Sequence, residues 1–202
     1  MDFKAYTLAL QREPFDEYTV REILDQFFHH GSAYIFHDSP QFHVQFKRNV
    51  SDAMESTFGL KISPFTDIFI CGSAHLGFSA VPGDKFGREF IPESSDIDLA
   101  IINTELFDRW WAQLAHPLTS LGKLLPEIAE NLLNGLISPN MAHSSTEIGR
   151  KWWDLFGRLE VNGFRKVRGR IYRTAQFMEN YHRRTVIRGR EWVKGAKEDS
   201  YF

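Results

Sequence analysis

The sequence has a single cysteine, Cys71, so it can form no internal disulfide and offers no cysteine-based zinc site. It contains no run of about 18 apolar residues, so no membrane span is predicted. Its first residues lack a basic segment followed by an apolar one, so no signal peptide is predicted either. Together these absences make the cytoplasm the expected location, with no membrane partner.

What the sequence does contain is typical of a soluble globular protein. Hydrophobic residues make up 43% of the 202 residues and charged residues 25%, and eighteen phenylalanines provide ample material for a core. This length predicts a single domain over 1–202. We expect N-terminal helices over 1–60, a core with the functional site over 67–170, and a basic C-terminal helix over 171–202.

Hydrophobic periodicity predicts two helices early in the chain and a buried strand after them. Apolar side chains recur at helical spacing over 16–30 and every four residues over 39–58, where Gly59 marks the helix end. Residues 67–71 are too uniformly apolar for a strand with one solvent-exposed face, so they predict a central strand that is buried on both faces. Residues 1–13 give no clear pattern.

The second half of the chain continues the mixed pattern, beginning with a second central strand in DIDLAII, residues 96–102. Further helices are predicted at 105–115, 126–137, 148–156 and from 173 onward, and further strands at 158–161 and 164–172 around an Asn-Gly turn. Asn103 or Thr104 is expected to cap the first of these helices, and Ser144 with Glu147 has capping-box spacing before the third. The predicted fold class is therefore α+β, a small mixed sheet flanked by helices.

The net charge of −2 conceals an uneven distribution of charge along the chain. The segment 165–194 contains ten Lys or Arg residues and two acids, whereas the rest of the chain has 24 acids and 14 basic residues. A basic segment on an acidic body predicts contact with phosphate or nucleic acid. The alternative is a solvated helix face that pairs with the acidic body.

Asp96 and Asp98 are the first candidate site residues. Alternate side chains of a strand point to the same face, so the two carboxylates point together while Ile97 and Leu99 point to the core. Two such carboxylates suit a hard divalent cation, which takes oxygen ligands and would offset their mutual repulsion. An Asp-x-Asp by itself is more often a solvated strand end or a helix cap.

Gly72 and Ser73 form the second candidate, at the end of the first central strand. Gly72 permits a close backbone approach, and Ser73 would lie at a helix N-terminus, where free N–H groups favour a phosphate. A Gly-Ser turn alone is common. Beside a carboxylate pair, however, it predicts a site for a nucleoside triphosphate with its magnesium.

The combined motif, ICGS followed by SSDIDLAI, resembles the nucleotidyltransferase superfamily typified by DNA polymerase β. That superfamily has a hydrophobic residue, Gly and Gly or Ser, then a spacer, then Asp-x-Asp or Asp-x-Glu between hydrophobic residues. Gly77 fits the glycine that often follows the turn. The resemblance spans roughly 42–170, with the specific match in 69–102, and implies a polymerase β-like fold with N-terminal and C-terminal helical additions.

The resemblance also implies a phosphoryl transfer in which three carboxylates hold two Mg²⁺ or Mn²⁺ ions. Asp96 and Asp98 match the first two catalytic metal ligands, and Gly72 and Ser73 match the residues that bind the triphosphate. The best match for the third catalytic ligand is Glu160 in RLEV, where the superfamily more often has Asp. The neighbouring segment KVRGRIY offers only arginines.

The spacer is the other departure from the superfamily pattern. Between Ser73 and Asp96 it contains 22 residues, more than is usual. We interpret residues 81–93 as an inserted loop beside the site, from which Lys85 and Arg88 could contact substrate.

The leading interpretation is therefore a metal-dependent nucleotidyltransferase. It would transfer a nucleoside monophosphate from a triphosphate such as ATP to an acceptor hydroxyl on RNA or protein, bound through the basic C-terminal segment. The alternative is a catalytically degenerate module that binds nucleotide, RNA or a partner protein in a regulatory or defence role. The missing clear third aspartate motivates it. A third interpretation is an unrelated α/β protein with a chance motif.

Overall fold

A computed structural model describes residues 2–29, 32–115, 126–138, 146–159 and 166–198. These residues form eight α-helices, four β-strands, a π-helical turn (Asp25–His29) and a 3-10 turn (Tyr34–Phe36). The helices are α1 (Phe3–Leu10), α2 (Glu17–Leu24), α3 (Pro40–Phe58), α4 (Gly72–Leu76), α5 (Thr104–Leu114), α6 (Pro126–Leu133), α7 (Glu147–Arg158) and α8 (Ala175–Glu198). The strands are β1 (Ile68–Cys71), β2 (Ile97–Ile102), β3 (Leu136–Ile137) and β4 (Val167–Tyr172). None of these helices is both long and apolar enough to cross a membrane.

The four strands form one mixed sheet in the order β1-β2-β4-β3, which confirms the predicted α+β class. β2 runs antiparallel to β1 and parallel to β4, and β3 pairs antiparallel with the outer edge of β4. Cys71 at the end of β1 lies opposite Asp98 near the start of β2, and Asp98 in turn lies opposite Arg168. One end of the sheet therefore gathers the end of β1 and the starts of β2 and β4.

One face of the sheet is apolar and buried under α3, α5 and α7. Ile97, Leu99 and Ile101 alternate along β2 toward this face, and each is at most 1% exposed. Trp110 of α5 and Trp152 of α7 pack with ring centroids 5.3 Å apart. Burial of apolar surface stabilises the fold by about 25 cal/mol per Å², and this layer contains the largest of the three buried clusters in the described residues.

The opposite face of the sheet is divided into an apolar end and a polar end. At the apolar end, Ala100 and Tyr172 pack against Met178 in the first turns of α8. At the polar end, Asp98 and Arg170 remain partly exposed. α8 thus covers one end of this face and leaves the charged end open.

Helices α1 and α2 form a second layer that packs on α8. Ion pairs join the two parts: Arg183 pairs with Glu17, and both Arg190 and Lys194 pair with Glu13. Much of the basic C-terminal segment therefore contacts acids of the same chain, as the alternative interpretation of its charge expected.

Several predicted helix boundaries are confirmed. The Asn103 side chain accepts a hydrogen bond of 2.7 Å from the Leu106 N–H at the start of α5. Gly59 ends α3 in the left-handed region, at φ 69°. These positions were predictable because capping and helix termination depend on local sequence.

Other local features differ from the prediction or were not predicted. α1 lies within 1–13, for which the sequence gave no clear pattern. The predicted helix over 126–137 ends at Leu133; the chain turns at Gly135, and Leu136 with Ile137 pairs with β4. A short apolar run fits an edge strand as well as a helix, so periodicity alone could not separate the two.

The start and the end of α7 also differ from the prediction. Thr146 caps α7 by accepting a hydrogen bond from the Gly149 N–H, whereas Ser144 lies outside the described residues. The helix continues through Arg158, so no strand begins there. The rest of the strand predicted at 158–161 is described only at Leu159, which is not in a strand.

Gly169 of β4 should be required for the packing of α7 on the sheet. A Cβ at this position would lie 2.3 Å from Phe156 Cζ and 2.6 Å from Trp152 Cζ2, so Gly169→Ala should lower the free energy of unfolding by about 1–3 kcal/mol. Guanidinium denaturation measures the change. Gly157→Ala is the matched control, because among the described atoms nothing lies within 4 Å of its added Cβ. That variant should be neutral or up to about 1 kcal/mol more stable; equal losses in both variants would contradict the expectation.

Candidate nucleotide-binding cleft

A cleft of about 590 Å³ opens at the polar end of the sheet. Its walls come from three stretches of the chain: Phe28 of the π-helical turn, residues 71–100 from the end of β1 through α4 and the loop to β2, and residues 170–185 of β4 and α8. These three stretches are distant from one another in the sequence and meet only in the folded chain. All four residues of the two predicted motifs line this cleft: Gly72, Ser73, Asp96 and Asp98.

The turn between β1 and α4 brings Gly72 against Asp98. Gly72 has a φ of +61°, a left-handed backbone conformation that favours glycine. A Cβ on Gly72 would lie 3.1 Å from Asp98 Oδ2, so the missing side chain lets the carboxylate approach the turn. Ser73 follows as the second residue of α4. The structure therefore places both predicted motifs side by side.

Two arginines of β4 accompany the two aspartates on the same face of the sheet. Arg168 Nε lies 2.9 Å from Asp96 Oδ2, and Arg170 Nη2 lies 3.9 Å from Asp98 Oδ1. Because Asp98 is opposite Arg168 in the register, each arginine reaches back two residues to its carboxylate. Positive charge from the protein itself therefore partly offsets the repulsion within the aspartate pair.

The charge balance at Asp98 is incomplete. Burial raises the pKa of the Asp98 carboxyl above its usual range, and Arg170 only partly opposes this effect. Burial alone would lower the pKa of the Arg170 guanidinium, but Tyr181 and Asp98 raise it, so Arg170 stays charged. Tyr181 Oη accepts a hydrogen bond of 2.9 Å from Arg170 Nη1. A cation or a proton near Asp98 would complete the balance.

The long spacer forms an ordered wall of the cleft. The Ser79 N–H donates to the Arg88 carbonyl at 2.9 Å, closing the loop on itself. Phe86 at its tip packs edge-on against Phe3 of α1, with ring centroids 5.3 Å apart. The loop thereby places Lys85 and Arg88 at the cleft, where the sequence predicted that they could contact substrate.

The third predicted ligand, Glu160, lies outside the described residues. Within the described ranges, no group of three or more His, Cys, Asp or Glu side chains is arranged to hold a metal ion. β2 has β1 on one side and β4 on the other, and the β4 residues nearest the aspartates are arginines. The described part of the site is thus two carboxylates facing two guanidinium groups.

Two buried histidines lie at or near the cleft: His182 lines it, and His75 is on α4, which forms part of its wall. His75 of α4 and His182 of α8 are 7% and 6% exposed. Burial is the main cause that lowers the pKa of His75 to about 4 and that of His182 to about 3, so both rings are neutral at pH 7. The His182 ring lies 5.0 Å from the Phe28 ring, centroid to centroid, where the π-helical turn meets α8.

The roles of Arg168 and Arg170 and the contribution of α8 were not apparent from the sequence. A signal for the arginines was present, because Arg168, Arg170 and Tyr172 alternate along one strand and must share a face. His182 gave no comparable signal. The periodicity of a helix indicates which side is buried, not which element it meets.

Comparison of the chain with protein-family models, with curated proteins and with solved structures gives no match. The superfamily resemblance of the two motifs therefore stays a prediction. The functional interpretation depends on the residues of the cleft and on their geometry.

The buried histidines predict a loss of stability in mild acid. Their folded pKa values of about 4 and 3 lie below the unfolded value near 6.5, so between these values the unfolded chain binds the protons. The stability that the neutral rings contribute is complete above about pH 6.5 and is lost as the pH falls toward the folded values. Each histidine should cost up to about 1.4 kcal/mol per pH unit in this range, measured as unfolding free energy against pH.

Variants separate this effect from the titration of carboxylates. His182→Phe keeps an aromatic ring beside Phe28 and removes one titrating group, so its stability should depend less steeply on pH than that of the wild type. His37→Phe changes a histidine whose side chain is 59% exposed and should follow the wild-type curve. Parallel curves for His182→Phe and wild type would show that His182 does not couple folding to protons.

Proposed function

We propose that the protein is a metal-dependent nucleotidyltransferase with a polymerase β-like fold. It transfers a nucleoside monophosphate from a nucleoside triphosphate to an acceptor hydroxyl. The observation that carries the proposal is the meeting of Gly72, Ser73, Asp96 and Asp98 in one cleft, with Asp98 directly against the Gly72 backbone. The Gly72–Ser73 turn is proposed to contact the triphosphate, and the aspartates to hold its metal.

The donor set suits one divalent cation. Mg²⁺ and Mn²⁺ prefer oxygen ligands, and the two carboxylates face the same cleft. The raised pKa of Asp98 supports this assignment, because it reflects a buried negative charge that Arg170 compensates only in part. When bound, such a metal neutralises charge on the phosphate oxygens. Glu160 is proposed as the third ligand on sequence grounds alone.

The chain's own cations would hold the phosphates in position. Lys85 and Arg88 from the loop and Arg170 from β4 surround the cleft on different sides. In the transfer, the acceptor oxygen loses its proton to solvent and bonds to the α-phosphorus, while the bond from that phosphorus to the pyrophosphate oxygen breaks. Catalysis would come from positioning the reactants and from stabilising the charge on pyrophosphate.

The pairing of Arg168 with Asp96 favours a second candidate function, nucleotide binding without turnover. At 2.9 Å, the guanidinium satisfies this carboxylate without any metal. Arginines also bind phosphate directly and in fixed geometry. In this case the protein would be a regulatory or defence module that binds nucleotide, RNA or a partner protein.

Turnover tests the leading proposal. The full chain is incubated with each triphosphate labelled at the α-phosphate, with Mg²⁺ or Mn²⁺, with and without RNA, and pyrophosphate release is measured. Asp96→Asn and Asp98→Asn should each slow release at least about a hundredfold, a loss of about 2.7 kcal/mol of transition-state stabilisation. Asp108→Asn is the control, because Asp108 forms a similar ion pair with Arg173 outside the cleft. Full turnover in both cleft variants would exclude their metal role.

The same assay addresses Glu160. If this residue is the third ligand, Glu160→Gln should abolish turnover while the triphosphate still binds. Unchanged turnover would assign the third ligand to another residue.

Arg168→Gln distinguishes the enzyme from the binding module. In the enzyme, Arg168 competes with the metal for Asp96, so its removal should tighten Mg²⁺-dependent binding of a non-hydrolysable triphosphate severalfold. In the module, Arg168 contacts phosphate, so its removal should weaken binding in EDTA. Isothermal titration calorimetry in a buffer with Mg²⁺ and in a buffer with EDTA measures the two affinities. Arg158→Gln, an exposed position on α7 across the sheet, should change neither affinity.

A further inference from the structure

The structure describes nine of the ten basic residues of the segment 165–194, and they fall into an ion-paired group and an exposed group that also includes Lys166. Six of them form ion pairs with acids of the same chain: Arg168, Arg170, Arg173, Arg183, Arg190 and Lys194. Arg184 and Arg188 of α8 differ, because both are exposed and neither forms an ion pair with an acid in the described part of the chain. Their charge is therefore directed to solvent or to a ligand.

Arg184 and Arg188 line a second groove, of about 500 Å³, between α8, α6 and the loop at Val81. Positions four apart on a helix lie on the same face, with Cβ atoms about 5–6 Å apart. Tyr181 and Thr185 line both this groove and the candidate nucleotide-binding cleft. The groove therefore continues into the cleft along one side of α8.

The chemistry of the groove is cationic, with polar and aromatic groups at its walls. Asn131 and Asn134 of α6 line it, and Glu130 is the one acid among its described lining residues. The Asn134 side chain donates to the Glu130 carbonyl at 2.8 Å, which fixes the amide at the groove wall. Two guanidinium groups thus face one carboxylate, which leaves the groove positive.

We propose that this groove binds a single-stranded nucleic acid, whose backbone phosphates contact Arg184 and Arg188. Single strands are bound by positive grooves that follow the backbone and by aromatic rings on which bases stack. Arg184 and Arg188 provide the first feature. Tyr181 lies at the junction with the cleft, where its ring already packs against Arg170 and Tyr172, so phosphate contact is the main basis of the proposal.

The strand would be the acceptor, or the regulatory ligand, of the cleft. An end that passes Tyr181 enters the space that Asp98 and Arg170 line. In assigning the strand to the cleft, this inference rests on the proposed function. The binding of nucleic acid by Arg184 and Arg188 does not depend on turnover, so the two can be tested separately.

Fluorescence anisotropy tests the proposal with the full chain and labelled single strands of about 12 nucleotides, one of RNA and one of DNA. The wild type should bind at about 50 mM KCl and weaken steeply toward about 200 mM. The double variant Arg184→Gln/Arg188→Gln should bind severalfold more weakly, and its slope of log affinity against log salt should be shallower by about 1.4, or about 0.7 for each lost contact. The RNA and DNA arms identify which strand is preferred.

Two controls make the result specific. Arg48→Gln/Arg158→Gln removes two exposed arginines on α3 and α7, across the sheet from the groove, and should keep wild-type affinity and slope. Triphosphate binding in the groove variant should also be unchanged. Strand binding that depends on Arg184 and Arg188 supports the inference even if no triphosphate binds, a result that would count against the proposed function alone.

Three outcomes would overturn the inference. The first is that the wild type binds neither strand at low salt. The second is an equal loss of affinity in the groove and control variants. The third is that a polyglutamate peptide binds more tightly than either strand and loses affinity in the groove variant, which would indicate an acidic protein partner instead.

Discussion

The repulsion between two carboxylates at the mouth of a buried strand is the constraint around which this molecule is organised. At the separation of alternate strand residues, about 6–7 Å, two like charges in a partly buried site repel by roughly 2.5 kcal/mol. Arg168 and Arg170 of the neighbouring strand pair with the two carboxylates, and Gly72 leaves room for Asp98 beside the turn. The parallel pairing of β2 with β4 is what brings the arginines to the aspartates. The two functional interpretations differ in which cation performs this neutralisation when ligand is bound.

The sequence predicted most of the fold where local patterns decide it. The helix over 39–58 and the two central strands follow from hydrophobic spacing, and Asn103 caps its helix through a side chain three residues from its partner. The errors occurred where the structure of a segment depends on the part of the chain with which it pairs or packs. Leu136 and Ile137 became an edge strand because β4 offers a free edge, and that edge is not visible in their own sequence.

The candidate site was predictable in part for the same reason. Asp96 with Asp98 and Gly72 with Ser73 are local motifs, so their placement in one cleft required only that β1 and β2 be neighbours. The arginine partners depend on the register of β4 against β2. The spacing of residues along the chain does not reveal this register. The contribution of α8 depends on packing between helices far apart in sequence, where Tyr181 and His182 meet the sheet and the π-helical turn.

The position of α8 has a consequence for the order of folding. Residues from Phe28 to Thr185 line one cleft, so its walls are joined by contacts that span most of the chain. Contacts between residues so distant in sequence form slowly, because the long loop between them must close, at an entropic cost, before the contact can stabilise the chain. The sheet pair β1–β2 is a nearer neighbour in sequence and can assemble first. We therefore expect the complete cleft to form late in folding, so that a chain still in synthesis would carry both motifs before they share a site.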